Sequence, residues 1–189
     1  MKSLKIIIFT FLCIISSSLY AQSVNETIEK QFTEYIKLSF EDFEKSLDYT
    51  PEEVFETISK EEMILIYEYG YNQIKGEYII FPPEIKSFGK ITQIEGVNYV
   101  KFQYLSKIQI GLRETENTEI EILYLKRSYE EMYGIRSVTF NEEIHSFEIN
   151  QTGNVIAISD NLKNWKFVSI ENESERPDML HFIPKQLFE

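Results

Sequence analysis

The chain has 189 residues, with 19 Lys and Arg against 31 Asp and Glu, a formal charge of −12. One domain is the natural count at this length, and a chain of this size buries roughly 70% of its unfolded surface. The acidic balance argues against a nucleic-acid binder, which holds phosphates with Lys and Arg, and the single Cys argues against a zinc or disulfide scaffold.

Lys2 and Lys5 form a short positive head, and Ile6 to Ile15 is apolar except for Thr10. Ser16-Ser17-Ser18 leads to Tyr20-Ala21-Gln22. Positive head, short apolar body and small-residue exit predict a secretory signal over residues 1–21, cut after Ala21, with Ser18 as the alternative point. The apolar run is too short to span a bilayer, which takes about 20 residues. Residues 22–189 are then expected to form a single domain with no transmembrane segment, in the periplasm or outside the cell. Cys13 lies inside the signal, and Leu12 before it does not suit lipoprotein processing. The exported chain would hold no thiol for catalysis or metal binding.

The next stretch predicts three helices. Ser23-Val24-Asn25-Glu26 has the pattern of a capping box. Val24, Ile28, Phe32, Ile36, Phe40, Phe43 and Leu47 follow at helical spacing as one apolar stripe. Thr50-Pro51-Glu52-Glu53 repeats the pattern with Pro at the first helical position. Ser59-Lys60-Glu61-Glu62 repeats it again, before a helix presenting Met63, Ile64, Tyr67 and Tyr71, with Gly70 as a breaker.

The period then changes to two. Glu77 to Phe81 predicts a short strand that Pro82-Pro83 ends, since neither Pro can donate to a ladder. Ile85 to Ile94 and Val97 to Leu112 predict a hairpin around Glu95-Gly96. Val100, Phe102, Tyr104, Ile108, Ile110 and Leu112 share one face of its second arm. Asn117 to Tyr133 is open to two readings. Glu119-Ile120-Glu121-Ile122 alternates like a strand, while Ile122, Leu125, Tyr129 and Met132 make a helical stripe ending at Gly134. Length and charge favour the helix.

The back third predicts a meander. Its strands are Ser137 to Asn141, Ile144 to Asn150, Val155 to Ser159 and Trp165 to Ile170. Thr152-Gly153-Asn154 and Asp160 to Asn164 are the predicted turns. A short helix over Asp178 to Phe182, limited by Pro184, closes the chain. The expected class is α+β: N-terminal helices packed on a curved antiparallel sheet, a cone or roll, with a short C-terminal helix.

The stretch Leu47-Asp48-Tyr49-Thr50, the run Ser159-Asp160-Asn161-Leu162-Lys163-Asn164-Trp165-Lys166-Phe167 and the tail Phe182-Ile183-Pro184-Lys185-Gln186-Leu187 resemble a set of short exported proteins of Bacteroidota. The Tyr20-Ala21-Gln22 junction is similar to theirs. That resemblance implies an address and no activity. The order of elements is also similar to the cone fold of ketosteroid isomerase and nuclear transport factor two. That fold hosts isomerases, dehydratases and binding proteins, so it implies no single function.

The search for chemistry is short, because there are two histidines. His145 shares an inward strand face with Phe147 and Ile149 by alternation. It is the one candidate acid/base residue; a hydrogen-bonded histidine at the core edge is the favoured reading. His181 sits in the tail as a surface residue. No nucleophile elbow, zinc-protease motif, calcium loop or Gly-rich phosphate cradle is present, so no cofactor or metal is predicted. The paired carboxylates, such as Glu52-Glu53 and Glu61-Glu62, belong to predicted caps. The aromatic content, 14 Phe and 12 Tyr, is the remaining oddity. Tyr67, Tyr69 and Tyr71 cluster on one helix and form the candidate binding patch, because Tyr is enriched at interfaces. The expected function is a non-catalytic binding module of the cell envelope, taking a protein partner or a small apolar ligand. A small pocket enzyme using His145 is the alternative.

Overall fold

The structure is a computed structural model. It describes residues 2–73, 77–112, 118–170 and 180–188, with side chains of the first stretch described from 22 to 69. The side chains of the predicted signal and of Tyr71, and residues Asp178 and Met179 of the predicted helix over Asp178 to Phe182, lie outside the described residues.

α1 runs unbroken from Lys2 to Glu41. The predicted capping box at Ser23 therefore does not start a helix. Backbone already helical upstream leaves no orphan N–H for Ser23 to cap, and the Ser23 carbonyl instead accepts from the Thr27 hydroxyl at 2.8 Å. Asp42 breaks the stripe. Its carboxylate accepts from the Lys45 amide at 3.3 Å and caps the short α2, Phe43–Ser46. The second predicted box also fails. Pro51 stands at the N-cap of a 3-10 segment, Glu52–Glu56, with no side-chain cap. The third forms as expected: Ser59 Oγ accepts from the Glu62 amide at 3.2 Å, and Glu62 accepts from the Ser59 amide at 3.0 Å. It opens α3, Lys60–Gln73, which passes through Gly70 without stopping.

One curved, open sheet of seven antiparallel strands follows. Its centre is two long strands, β4 (Val97–Gly111) and β6 (Ser146–Ser159), paired along nearly their full length. On the far side of β4 lie β1 (Glu77–Ile80), β2 (Glu84–Phe88) and β3 (Thr92–Ile94), end to end. On the far side of β6 lie β5 (Val138–Asn141) and β7 (Lys166–Ile170). β3 turns into β4 at Glu95-Gly96, with φ of 52° and 90°. Two successive positive φ values make the primed turn whose twist suits a hairpin.

The predicted turn at Thr152-Gly153-Asn154 does not exist; β6 runs straight through it. Gly153 lies opposite Tyr104, and a Cβ there would come 2.4 Å from the Tyr104 ring. The glycine makes room for an aromatic ring rather than for a turn. His145 is likewise displaced. It sits before β6 in a turn, at φ 47°, and not on the strand.

Asn117 to Tyr133 resolves as the helix α4, Glu119–Tyr133, ended by Gly134. A capping box that the sequence reading passed over, Thr118 with Glu121, starts it. Ile122, Leu125 and Tyr129 face the core as predicted, but Met132 is exposed.

Alternation along β4 and β6 sorts the core. Val100, Phe102, Val155 and Ala157 meet Val24, Ile28 and Phe32 of α1. On the same sheet face, Ile108, Ile110, Phe147 and Ile149 meet Tyr129 of α4. On the opposite face, Tyr99, Ile156 and Val168 meet Leu180, Ile183 and Leu187 of the tail. Each fully buried aliphatic or aromatic side chain here stabilises by about 1.5–3 kcal/mol. The tail forms a short 3-10 segment, Lys185–Leu187, that starts after Pro184. The Asp160–Asn164 turn forms as read: Asn161 Oδ1 accepts from the Lys163 and Asn164 amides at 2.9 Å each. Gln31 ties α1 to it, donating to the Lys163 carbonyl at 2.6 Å and accepting from the Trp165 amide at 2.8 Å. Among the described residues no helix is long and apolar enough to cross a membrane.

Candidate functional site

α1 outlasts the sheet face it covers. Its first described turns are buried through Val24, Ile28 and Phe32. Its last turns hang over the β1 edge, where no further strand of the described residues lies beneath them. A groove of about 690 Å³ opens there. Ile36 and Phe40 form one wall, and Tyr78, Ile80, Phe81, Pro82 and Pro83 form the other. The strand register explains the second wall. Tyr78 and Ile80 pair with Ile110 and Ile108, so both point to the helix-covered face. Pro82 and Pro83 then end β1 and turn the chain toward β2.

The groove's walls are mixed: the apolar side chains share them with Thr33, and Lys37, Glu41 and Glu77 add charge at the rim. Lys37 and Glu41, one helical turn apart, pair at 3.7 Å, and Glu77 stands across from them. Both members of that pair are more than half exposed, so the pair contributes little to stability. They remain available to a polar group on a ligand. Few polar groups around an apolar hollow of several hundred Å³ is the usual form of a small-molecule site.

Two smaller hollows differ in character. One, of about 420 Å³, lies beside Tyr99 and Phe182 and is walled by Glu52, Glu53, Asp160 and Asn161. Burial, followed by the nearby charges of Glu53, Asp160 and Glu95, raises the Tyr99 hydroxyl above its ordinary pKa. Lys166 also borders it, with its ammonium donating to the Asp48 carbonyl. The other, of about 390 Å³, lies on the open sheet face between Phe81, Lys107, Gln109, Glu148 and Asn150.

His145 lines none of these three hollows. Its ring meets Phe140 edge-on at 5.6 Å, and its Nε2 is buried without a hydrogen-bond partner among the described residues. Its carbonyl accepts from the Leu112 amide at 3.0 Å. His181 is exposed, edge-on to Phe182 at 6.1 Å. The three candidate tyrosines do not form one surface. Tyr67 is half-buried, stacked flat on Phe43 at 4.1 Å. Tyr69 points the other way and is 73% exposed. Tyr71 lies outside the described side chains.

Among the described residues no group of three His, Cys, Asp or Glu side chains could hold a metal ion. Of the paired carboxylates, Glu52 and Glu53 border the Tyr99 hollow with Asp160. Asp42 and Glu62 are held below the ordinary carboxylate pKa, the first mainly by the Lys45 ammonium and the second mainly by the Ser59 amide, and both are spent as caps.

Sequence reasoning missed the groove, though not its residues. Ile36 and Phe40 belonged to the predicted helical stripe, and Pro82-Pro83 were read as a strand stop. What it lacked was the place where α1 crosses the β1 edge, a tertiary fact with no local signal. Comparison with known proteins gives no match: no family model, no curated protein and no solved structure is similar to this chain at a significant level.

Proposed function

We propose that this chain is an exported, non-catalytic binding module of the cell envelope that takes an elongated apolar small molecule between α1 and β1. One observation carries the reading: the roomiest of the three hollows described is walled by half-buried Ile36, Phe40, Tyr78 and Ile80 and exposed Phe81, with Lys37, Glu41 and Glu77 at its rim. Such walls leave ordered apolar surface facing water, and a ligand that covers it gains about 25 cal/mol per Å² of apolar area. The Lys37–Glu41 pair and Glu77 suit one polar end of that ligand. The export half of the reading rests on the Lys2 and Lys5 head, the Ile6 to Ile15 run and the Tyr20-Ala21-Gln22 junction. An acid/base enzyme built on His145 would need that ring in a ligand hollow, and it faces Phe140 instead.

Native mass spectrometry of the protein recovered from its own host's envelope tests both halves. The expected species starts at Gln22 and carries a small apolar mass. Phe81 is 42% exposed and can be changed without opening the core. Phe81→Ser should lower ligand affinity about fivefold, corresponding to about 1 kcal/mol of lost apolar contact. A chain that keeps residues 1–21 would overturn export. Ligand occupancy indifferent to Phe81→Ser would overturn the groove.

A further inference from the structure

α3 is apolar on more of its circumference than the protein covers. Its inner side carries Met63, Ile64 and Tyr67, all half-buried, with Tyr67 stacked on Phe43 of α2. Its outer side carries Leu65 and Ile66, each 63% exposed, and Tyr69. At 100° per residue those three, with Glu62, fall within one arc about 100° wide. A stripe of that width is what a core-facing helix shows to its core. Here it faces outward, with no described element over it. Contiguous exposed apolar surface of this kind marks interaction sites.

The charges around the stripe have one sign. Glu62 lies within the arc, and Glu61 and Glu68 line one edge; all three are exposed. Lys60 is the helix's only cation, and it is exposed on the side away from the arc, its ammonium 4.8 Å from the centre of the Phe55 ring. The outer arc is thus apolar and acidic, on a chain of net charge −12. That combination disfavours a second copy of the chain and an anionic bilayer, since both would bring like charge to it.

We infer that the outer face of α3 docks a cationic amphipathic helix of a protein partner. Its apolar stripe would lie along Leu65, Ile66 and Tyr69, with its Lys and Arg side chains against Glu61 and Glu68. This helix-against-helix mode is read as anchors at i, i+1 and i+4 on the α3 side. The surface is separate from the α1–β1 groove, so the inference does not depend on the proposed ligand.

The test uses the whole protein and two labelled 14-residue peptides. One is a helical peptide of Leu and Lys with a single apolar face; the other has Glu in place of every Lys. Fluorescence anisotropy should show the Lys peptide binding with Kd on the order of tens of micromolar at low salt, and weaker at 0.3 M salt, where exposed charge pairs are screened. The Glu peptide should bind at least tenfold more weakly. Leu65→Ser with Ile66→Ser changes only exposed side chains, so it should leave the circular dichroism intact while weakening the Lys peptide tenfold or more. Glu61→Gln with Glu68→Gln should remove most of the salt dependence. Glu142→Gln with Glu143→Gln, in the turn between β5 and β6, should leave binding within twofold. Equal losses from the two charge variants would mean diffuse attraction to an acidic protein and would overturn the inference. So would binding unchanged by the Leu65/Ile66 variant, or a concentration-dependent dimer in sedimentation that the same variant abolishes.

Discussion

A single missing side chain shapes the middle of the sheet. The Tyr104 ring lies over Gly153 and meets Phe32 of α1 at 4.7 Å, edge to face. Any Cβ at position 153 would force that ring off Phe32. Gly153→Ala should therefore destabilise the fold by about 1–3 kcal/mol, the usual cost of overpacking. Urea unfolding of four proteins checks the cause: wild type, Gly153→Ala, Tyr104→Val and the double variant. With Tyr104→Val in place, the added methyl should become neutral or mildly stabilising, because Gly inside a strand costs about 0.5–1 kcal/mol relative to Ala. An alanine penalty of equal size in both backgrounds would show that the ring is not its origin. This residue also shows why the Thr152-Gly153-Asn154 turn was misread. The three residue types are turn formers, but the reason for the glycine is a ring 49 positions earlier in the chain. Local composition carries no trace of it. His145 is a similar case: alternation from Phe147 and Ile149 extends one step too far, into a residue at φ 47°.

Helix starts show which local signals survive folding. Four Ser/Thr-x-x-Glu sequences stand at or ahead of a predicted helix, at Ser23, Thr50, Ser59 and Thr118. Only the last two form, because only there does the chain enter a helix from an extended or irregular segment. Ser23 is already inside α1, and Pro51 sets a 3-10 segment instead. The consequence can be measured on α4. Its N-cap, Thr118, accepts from the Glu121 amide at 3.3 Å, and Glu121 accepts from the Thr118 amide at 2.7 Å. Thr118→Ala should cost about 1 kcal/mol, seen as a lower urea midpoint, while Ser23→Ala in the full 189-residue chain, where α1 continues upstream of Ser23, should change stability by no more than about 0.5 kcal/mol. Comparable losses at the two sites would mean that the box pattern acts wherever it occurs. Strands were more legible than helix starts. The period of two placed β4 and its faces, because one face is buried and a slip by one residue would expose Val100, Phe102, Ile108 and Ile110 together.

At the scale of the molecule, one sheet face receives both α1 and α4, and among the described residues the other receives the tail at one end. This asymmetry leaves the α1–β1 groove and the outer face of α3, and neither was legible in sequence. Each depends on which elements fail to cover their neighbours, while periodicity reports only which residues prefer to be covered. The same layering draws several phenols into the interior. Burial raises Tyr35, Tyr104 and Tyr133 above the ordinary value of 10.0, and pushes Tyr129 up to about 12. A phenol whose pKa is raised by folding stays neutral in the fold while the unfolded chain ionises near pH 10. Its contribution is therefore complete below pH 10 and is lost as the pH climbs through the folded value. The fold should lose urea resistance steeply between pH 10 and 12, with no comparable change between pH 7 and 9. Tyr129 isolates the cause. Its hydroxyl is buried with no hydrogen-bond partner among the described residues, and its ring meets Phe147 at 5.1 Å. Tyr129→Phe keeps the ring and removes both the unpaired hydroxyl and the titration. It should raise stability at pH 7 by about 1 kcal/mol and make the alkaline decline shallower. An alkaline slope identical to wild type would place the loss in Tyr35, Tyr104 and Tyr133 rather than in Tyr129.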